Sequence, residues 1–230
     1  MSSSAADYFG AMVHDYDSLI RRAVPRYEEM TARLVDYLPA ASSSILELGC
    51  GTGNLSLALA ARYPDAEITF VDAAGEMLAA SRARLTADHP QVAARARFLE
   101  CRFEDLQLAP SAFDLIASCI SLHHVRDKAP LYRRLFAALV PGGTFRFADQ
   151  LRGGSDLNHQ RNWSRWLEFC RLPGHCSEAE VGSLLEHASA HDHYTSLADH
   201  FEMLRAAGFE RLDCVWRNWI WGIVTADKIQ

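Results

Sequence analysis

Three glycines at every second position, Gly49, Gly51 and Gly53 in "ILELGCGTGNLS", follow directly on an apolar run. Glycines there let the chain turn sharply and let a ligand reach the main chain without meeting a Cβ, while a helix starting behind them offers free N–H groups. A tight strand-to-helix turn needs one such residue and rarely three. Counting G-x-G-x-x-G from Gly49, the third glycine position falls on Asn54, so a dinucleotide pyrophosphate is disfavoured. Asp72 ends a second apolar run, where a carboxylate can accept two hydrogen bonds from a ligand or cap the next helix. Candidate general bases stand at two further run ends: His123 and His124 in "SLHHV", and Asp149 in "FRFAD". A histidine pair in a loop is more often partly solvated structure, and Asp149 could equally cap the segment after it.

Further along, "HASAHDHY" puts His187 and His191 four apart, on one helix face if the run is helical. Imidazoles at that spacing suit zinc, but no glutamate supplies the H-E-x-x-H mechanism, so no metal site is expected. His191 and Tyr194 are instead expected to line a substrate, together with Tyr16 near the N-terminus. Trp163 and Trp166, three apart on one helix face, pack as core or form an aromatic wall around a flat substrate or a cationic centre. Trp219 and Trp221 are expected on one face of the last strand.

The elements that must position these residues alternate. "SILELG", "EITFVD", "ARFLE", "FDLIASC" and "GGTFRFAD" read as buried strands, separated by helical-period segments such as "NLSLALAARY" and "APLYRRLFAALV". That rhythm predicts an α/β fold, a doubly wound and mostly parallel sheet. Ligands on such sheets lie beyond the carboxyl ends of the strands where strand order reverses, and the glycine bend is at such an end. One domain over 1–230 is expected. Residues 1–43 form an N-terminal lid of two helices, with Pro25 opening the second. The cofactor-binding core is 44–150, an inserted helical cap covers 151–195, and a helix closed by Gly208 leads into a hairpin over 196–230. The hairpin is expected to turn about Arg217 and Asn218 and to supply an antiparallel C-terminal strand, making seven in all.

Composition bounds the partners. At 49% hydrophobic and 23% charged residues the chain is ordinary for a globular protein and leaves no room for extensive disorder. No stretch is long and apolar enough to span a bilayer, and "MSSSAADYFG" lacks a secretory pattern, so no membrane partner and a cytoplasmic location are expected. The six cysteines lack CxxC pairing, which argues for reduced thiols. A net charge of -6 argues against phosphate-backbone binding, so nucleic acid is disfavoured and a small molecule favoured. A homodimer is compatible with the sequence, which does not require one.

The spacing in "ELGCGTG" resembles the first motif of the class I S-adenosylmethionine-dependent methyltransferases, and the resemblance runs from about Ser44 to Asp149. "ITFVDAAGEML", "FDLIASCISLHHV" and "LVPGGTFRFAD" resemble the later strand ends of that family. The resemblance implies S-adenosyl-L-methionine as methyl donor and S-adenosyl-L-homocysteine as product. Glu47 and the Gly49 and Gly51 backbone would then lie along the methionine part, Asp72 would hold the ribose hydroxyls, Ala73 and Met77 would flank the adenine with Phe103 as a further apolar flank, and Cys50, Gly53 and Ser118 would also bind the cofactor. "FLECRFEDL" departs from the family, because Cys101 and Arg102 stand where Gly and Asp are usual and arginine cannot accept from the adenine amino group.

Within the family, "IRRAVPRYEEM" and "AGFERLDCVWRNWIWGIVTAD" resemble the branch that includes carboxy-S-adenosylmethionine synthase, an enzyme of tRNA wobble-uridine modification. By that resemblance Tyr27 holds the cofactor carboxylate, unless its phenol simply packs between helices. The synthase's arginine for an extra carboxylate aligns with Met203, while Arg205 falls on another helix face, so ordinary methyl transfer to an O, N or C atom of a small molecule is expected. Such a transfer is an in-line displacement from an already activated sulfonium. Alignment and exclusion of water matter more than any nucleophile. The synthase activity and a non-enzymatic S-adenosylmethionine-binding role are the alternatives.

Overall fold

A computed structural model describes residues 5–229. Residues 1–4 of the expected lid and residue 230 of the expected tail lie outside the described residues. In chain order the elements are α1 (Ala5–Ala11), α2 (Tyr16–Ala23), α3 (Tyr27–Asp36), β1 (Ser44–Leu48), α4 (Asn54–Arg62), β2 (Glu67–Asp72), α5 (Gly75–Asp88), α6 (Pro90–Arg95), β3 (Arg97–Glu100) and β4 (Phe113–Cys119). A 3-10 turn (Leu122–His124) comes next, then α7 (Lys128–Ala138), β5 (Leu139–Arg152), α8 (Asp156–Cys170), α9 (Glu178–His191), β6 (Thr195–Ser196), α10 (Leu197–Ala207), β7 (Glu210–Asn218) and β8 (Trp221–Asp227).

The sheet runs β3-β2-β1-β4-β5-β8-β7, parallel from β3 to β5 and antiparallel on both sides of β8. This is the expected class and the expected antiparallel C-terminal strand. The strand count differs by one, because the two-residue β6 pairs with the far end of β5, which runs on past Asp149 to Arg152. Because both sheet faces are covered, successive residues of a strand enter two different cores. Ile45, Ile68, Phe70, Leu115 and Ile223 pack under α3, α4 and α5, whereas Leu46, Val71, Ile116, Phe145 and Val224 pack under α7 and α10. That alternation fixes the register, since a one-residue slip would exchange the two sets.

The N-terminal segment forms three described helices rather than two. Pro25 lies two residues before α3, and Arg26 enters that helix in the left-handed region at φ 61°. The C-terminal hairpin turns at Trp219 and Ile220, beyond the expected Arg217 and Asn218, so Trp219 (φ 51°) sits in the turn and only Trp221 lies on β8. The N-terminal helices and the cap form one roof. Trp166 Nε1 of α8 donates to the Ala23 carbonyl of α2 at 2.8 Å, and Arg22 donates to Glu180 of α9 at 2.7 and 3.1 Å. Ser177 and Glu180 complete a capping box that starts α9 at this junction. No described helix is long and apolar enough to cross a membrane.

One charged side chain of β1 is enclosed. Glu47 is 1% exposed and accepts from the Ser56 hydroxyl at 2.7 Å. Burial, with a smaller contribution from the Asp72 charge and against the Ser56 bond, pushes its carboxyl up to about 8. An acid whose value is raised on folding contributes stability fully below its unfolded value, here 4.5, and loses it as the pH rises through about 8. The stability of wild type relative to Glu47→Gln should therefore fall between pH 4.5 and 8 and level off above. Each kcal/mol of that fall is about 2–4 °C in Tm for a chain of this size. Thermal melts across that range check it, and parallel curves for the two proteins would contradict it.

Candidate active site

Strand order reverses between β1 and β4, and the loops leaving those two strands part to form a crevice. The glycine bend is one wall. Gly49, Gly51 and Gly53 all have positive φ, at 68°, 53° and 95°, but space requires them for different reasons. A Cβ on Gly49 would lie 2.3 Å from the Ser121 Cβ across the reversal point, and one on Gly53 would lie 2.9 Å from the Ser81 hydroxyl of α5. At Gly51 the neighbourhood is open, with only Tyr16 at 4.0 Å, so this is where the bare main chain faces the crevice.

The Asp72 carboxylate fastens the bend to β2. One oxygen accepts from Gly51 N–H at 2.8 Å and the other from Ala74 N–H at 2.9 Å, so Asp72 ties the bend to the turn before α5; it does not cap that helix, whose N-cap is Ala74. With about four acceptor positions, the carboxylate retains capacity for a ligand hydroxyl beyond these main-chain bonds. Burial raises this carboxyl, and the main-chain N–H groups oppose the rise.

The crevice holds about 540 Å³, within the range of small-molecule sites. Gly49, Gly51, Asp72, Ala73, Met77 and Phe103 line it, as do Tyr16, His124 and His191. Arg102 and Glu104 also line it, 3.6 Å apart as an exposed ion pair. Five expected cofactor residues are not in its wall, Gly53 among them because it packs on Ser81. Glu47 lies beneath the bend against Ser56, Cys50 packs in the core, and Ser118 bonds the Leu48 carbonyl and Ser121 behind Gly49. Tyr27 is buried at the start of α3, with the Arg21 guanidinium over its ring.

Behind the crevice is a smaller, mostly apolar hollow of about 70 Å³ under the roof. Phe9, Tyr16 and Ile120 line both spaces and so form the partition between them. Ile120 holds φ 58°, a conformation strained for a β-branched residue, with its N–H bonded to Ala148 O at 2.8 Å. Trp166, Tyr194, Trp221, Gln150 and His123 face the hollow; Trp163 stands one layer out, with its ring 4.7 Å from Trp166 and 5.5 Å from Tyr194. Two polar atoms of the hollow's lining residues, Gln150 Oε1 and Trp221 Nε1, are buried with no hydrogen-bond partner.

The three expected bases meet at the partition. Asp149, 1% exposed, accepts from the His123 main-chain N–H at 3.0 Å and lies 2.5 Å from His123 Nδ1. Burial would lower His123, but Asp149 and Asp192 outweigh it and hold the ring above its ordinary value; burial of Asp149 is likewise outweighed by His123, and that carboxyl is held low. His124 sits 3.2 Å from Asp192 Oδ1 without hydrogen-bonding geometry.

Asp192 is the residue that sequence reasoning passed over. It lies between two histidines in "HASAHDHY", and that flanking was the only signal. The Lys128 ammonium donates to Val125 O and His193 O at 2.8 and 2.7 Å, and His193 N–H donates to His123 O at 2.7 Å. These bonds press the Asp192 segment onto the histidine pair. Burial would raise Asp192, but His123, His124 and the Tyr194 hydroxyl hold its carboxyl at about 2. His187 also reaches this group, whereas His191 faces the crevice.

Comparison with known proteins bears on the sequence family and the fold. Residues 45–143 match the family model described as a methyltransferase domain. A trans-aconitate 2-methyltransferase of Paracidovorax citrulli is 35% identical over 137 residues, 57% of this chain but 48% of that protein. A carboxy-S-adenosyl-L-methionine synthase of Chromohalobacter salexigens is 27% identical over 205 residues, 86% of this chain and 74% of that protein. The chain thus spans about half the length of the first of these relatives. Among solved structures, Haemonchus contortus phosphoethanolamine N-methyltransferase 2 in complex with S-adenosyl-L-methionine superimposes with a TM-score of 0.71 at 17% identity, over 100% of this chain and 61% of that one. The chain is thus similar to S-adenosylmethionine-dependent methyltransferases in the sequence of residues 45–143 and in its fold.

Proposed function

We propose that residues 1–230 act as one methyltransferase domain, which binds S-adenosyl-L-methionine in the crevice and moves its methyl group to an O, N or C atom of a small molecule held in the inner hollow. The observation that carries this reading is the partition of Phe9, Tyr16 and Ile120, which belongs to both spaces. A donor on one side and an acceptor on the other would meet across it. When bound, the cofactor supplies an activated sulfonium methyl group. The chain's own residues supply grip, alignment and dryness. Gly51 leaves the main chain open to the ligand, and the remaining acceptor capacity of Asp72 suits ribose hydroxyls. Ala73, Met77 and Phe103 offer an apolar slot for adenine that needs no acceptor from Arg102.

The hollow favours a small, largely apolar acceptor carrying a polar group. Aromatic side chains together with aliphatic ones such as Leu19, Ile20 and Leu184 form most of its wall, and Gln150 Oε1 and Trp221 Nε1 offer an acceptor and a donor without partners. His123, held by Asp149, and His124 are the polar groups at the partition, and both would orient the acceptor. The roof, clamped through Trp166 and Arg22, covers the hollow, and shedding water from it on binding would favour the transfer. A relative's name points to trans-aconitate, but a tricarboxylate fits this small apolar hollow, whose lining holds no arginine or lysine, poorly. A carboxylated cofactor is less well supported, because Met203 packs against the core under α10 and the Arg205 guanidinium stacks on Phe201.

Calorimetric titration of S-adenosyl-L-homocysteine tests the grip. Wild type should bind in the micromolar range, and both Asp72→Ala and Gly51→Ala should weaken binding at least tenfold; equal binding in all three would remove the bend and Asp72 from the site. The hollow is tested with Ala188→Trp, which fills it from α9. That variant should bind S-adenosyl-L-homocysteine within twofold of wild type while losing transfer of labelled methyl to a panel of carboxylic acids, phenols and quinols. Undiminished transfer by it would locate the acceptor elsewhere.

A further inference from the structure

We infer that His123, His124 and Asp192 form a binding site for a divalent transition-metal ion at the partition between the two cavities. Their ligand atoms all lie within 4.8 Å of one another. Asp192 Oδ1 is the hub, 3.2 Å from His124 Nδ1 and 3.8 Å from His123 Nε2. Ligands at bonds of about 2.0–2.1 Å around a tetrahedral ion stand about 3.4 Å apart. These separations are too long or too misaligned for hydrogen bonds, and they bracket what a shared ion requires.

The unpartnered atoms point the same way. Asp192 Oδ1 and His124 Nδ1 are buried without a hydrogen-bond partner, in an aspartate whose side chain is 4% exposed. His187 Nε2 stands 3.6 Å from the same oxygen, and neither of its ring nitrogens has a partner. A proton shared with one imidazole would satisfy one of these groups; a cation among them satisfies several. His123 is already oriented for such a role. Asp149 occupies its Nδ1 at 2.5 Å, which leaves Nε2 to face the hub, the carboxylate–histidine–metal arrangement that fixes tautomer and ring direction. Two imidazoles and one carboxylate suit zinc, iron(II) or manganese(II), and leave coordination positions open.

Those positions lie where His124 faces the crevice and His123 and Asp192 face the hollow. An oxygen of the acceptor bound there would be more acidic, and the partnerless ring nitrogens of His187, which lines the hollow, are placed to take its proton. That last step alone rests on the methyl-transfer reading. The histidine spacing in "HASAHDHY" does not show the site, because the ligands come from two segments joined only by Lys128 and the His193 main chain.

Cobalt(II), an optical stand-in for zinc, tests the inference without any methyl acceptor. Chelator-treated wild-type protein should take up one cobalt per chain with visible ligand-field absorption. Asp192→Asn and His124→Gln should each weaken uptake at least tenfold, and Asp149→Asn by about 10–100-fold through His123. Thermal melts of the same samples report folding, and affinity of the wild type for S-adenosyl-L-homocysteine separates the two claims. Absence of saturable cobalt binding in wild type that still binds S-adenosyl-L-homocysteine would overturn the site, as would unchanged uptake in both first-named variants. Should one variant fail to fold, the other decides.

Discussion

The Asp72 carboxylate holds the glycine bend to the end of β2, and the geometry of the crevice depends on that attachment. Its two oxygens fix Gly51 and Ala74 by main-chain hydrogen bonds, so the loop leaving β1 and the turn entering α5 become one surface. The crevice wall is thereby set before any ligand arrives. Preorganisation of this kind spares a ligand the cost of ordering the loop itself. Gly49 and Gly53 serve the same surface differently, by admitting Ser121 and Ser81 where any side chain would collide.

Above that surface, the roof turns an open crevice into two chambers. The N-terminal helices reach over the sheet and are clamped to α8 and α9, and Phe9 and Tyr16 descend from them to divide the space. From below, the partition is completed by Ile120, whose strained backbone comes directly after β4. Strain held at such a position is consistent with a site rather than with packing alone. The polar groups of the partition come from β5, the loop after β4 and the segment after α9, gathered around one buried carboxylate, Asp192.

How much of this was legible in the sequence depends on how local each feature is. The strands of the core, the glycine bend and Asp72 were readable because apolar period and glycine spacing are properties of consecutive residues. The two-residue β6 was not, since it pairs through position rather than propensity. Nor was the turn at Trp219 and Ile220, which carries no glycine or asparagine at its positive φ. In the site, His123 and Asp149 could be nominated separately but not as a bonded pair, because they are 26 positions apart in sequence. Asp192 and the partition are wholly tertiary, made by the roof and by Lys128. Glu47 shows the opposite limit: its motif position was readable, but its enclosure beneath the bend was not.

The central claim is that one adenosyl nucleoside is gripped between the glycine bend and Asp72, with its sulfur end at the Phe9–Tyr16–Ile120 partition. A crystal structure of the protein with S-adenosyl-L-homocysteine addresses it most directly. The account predicts the ribose hydroxyls on Asp72, adenine between Ala73, Met77 and Phe103, and the sulfur beside Tyr16. A ligand bound away from Asp72, or a crevice filled by the chain's own side chains, would contradict it.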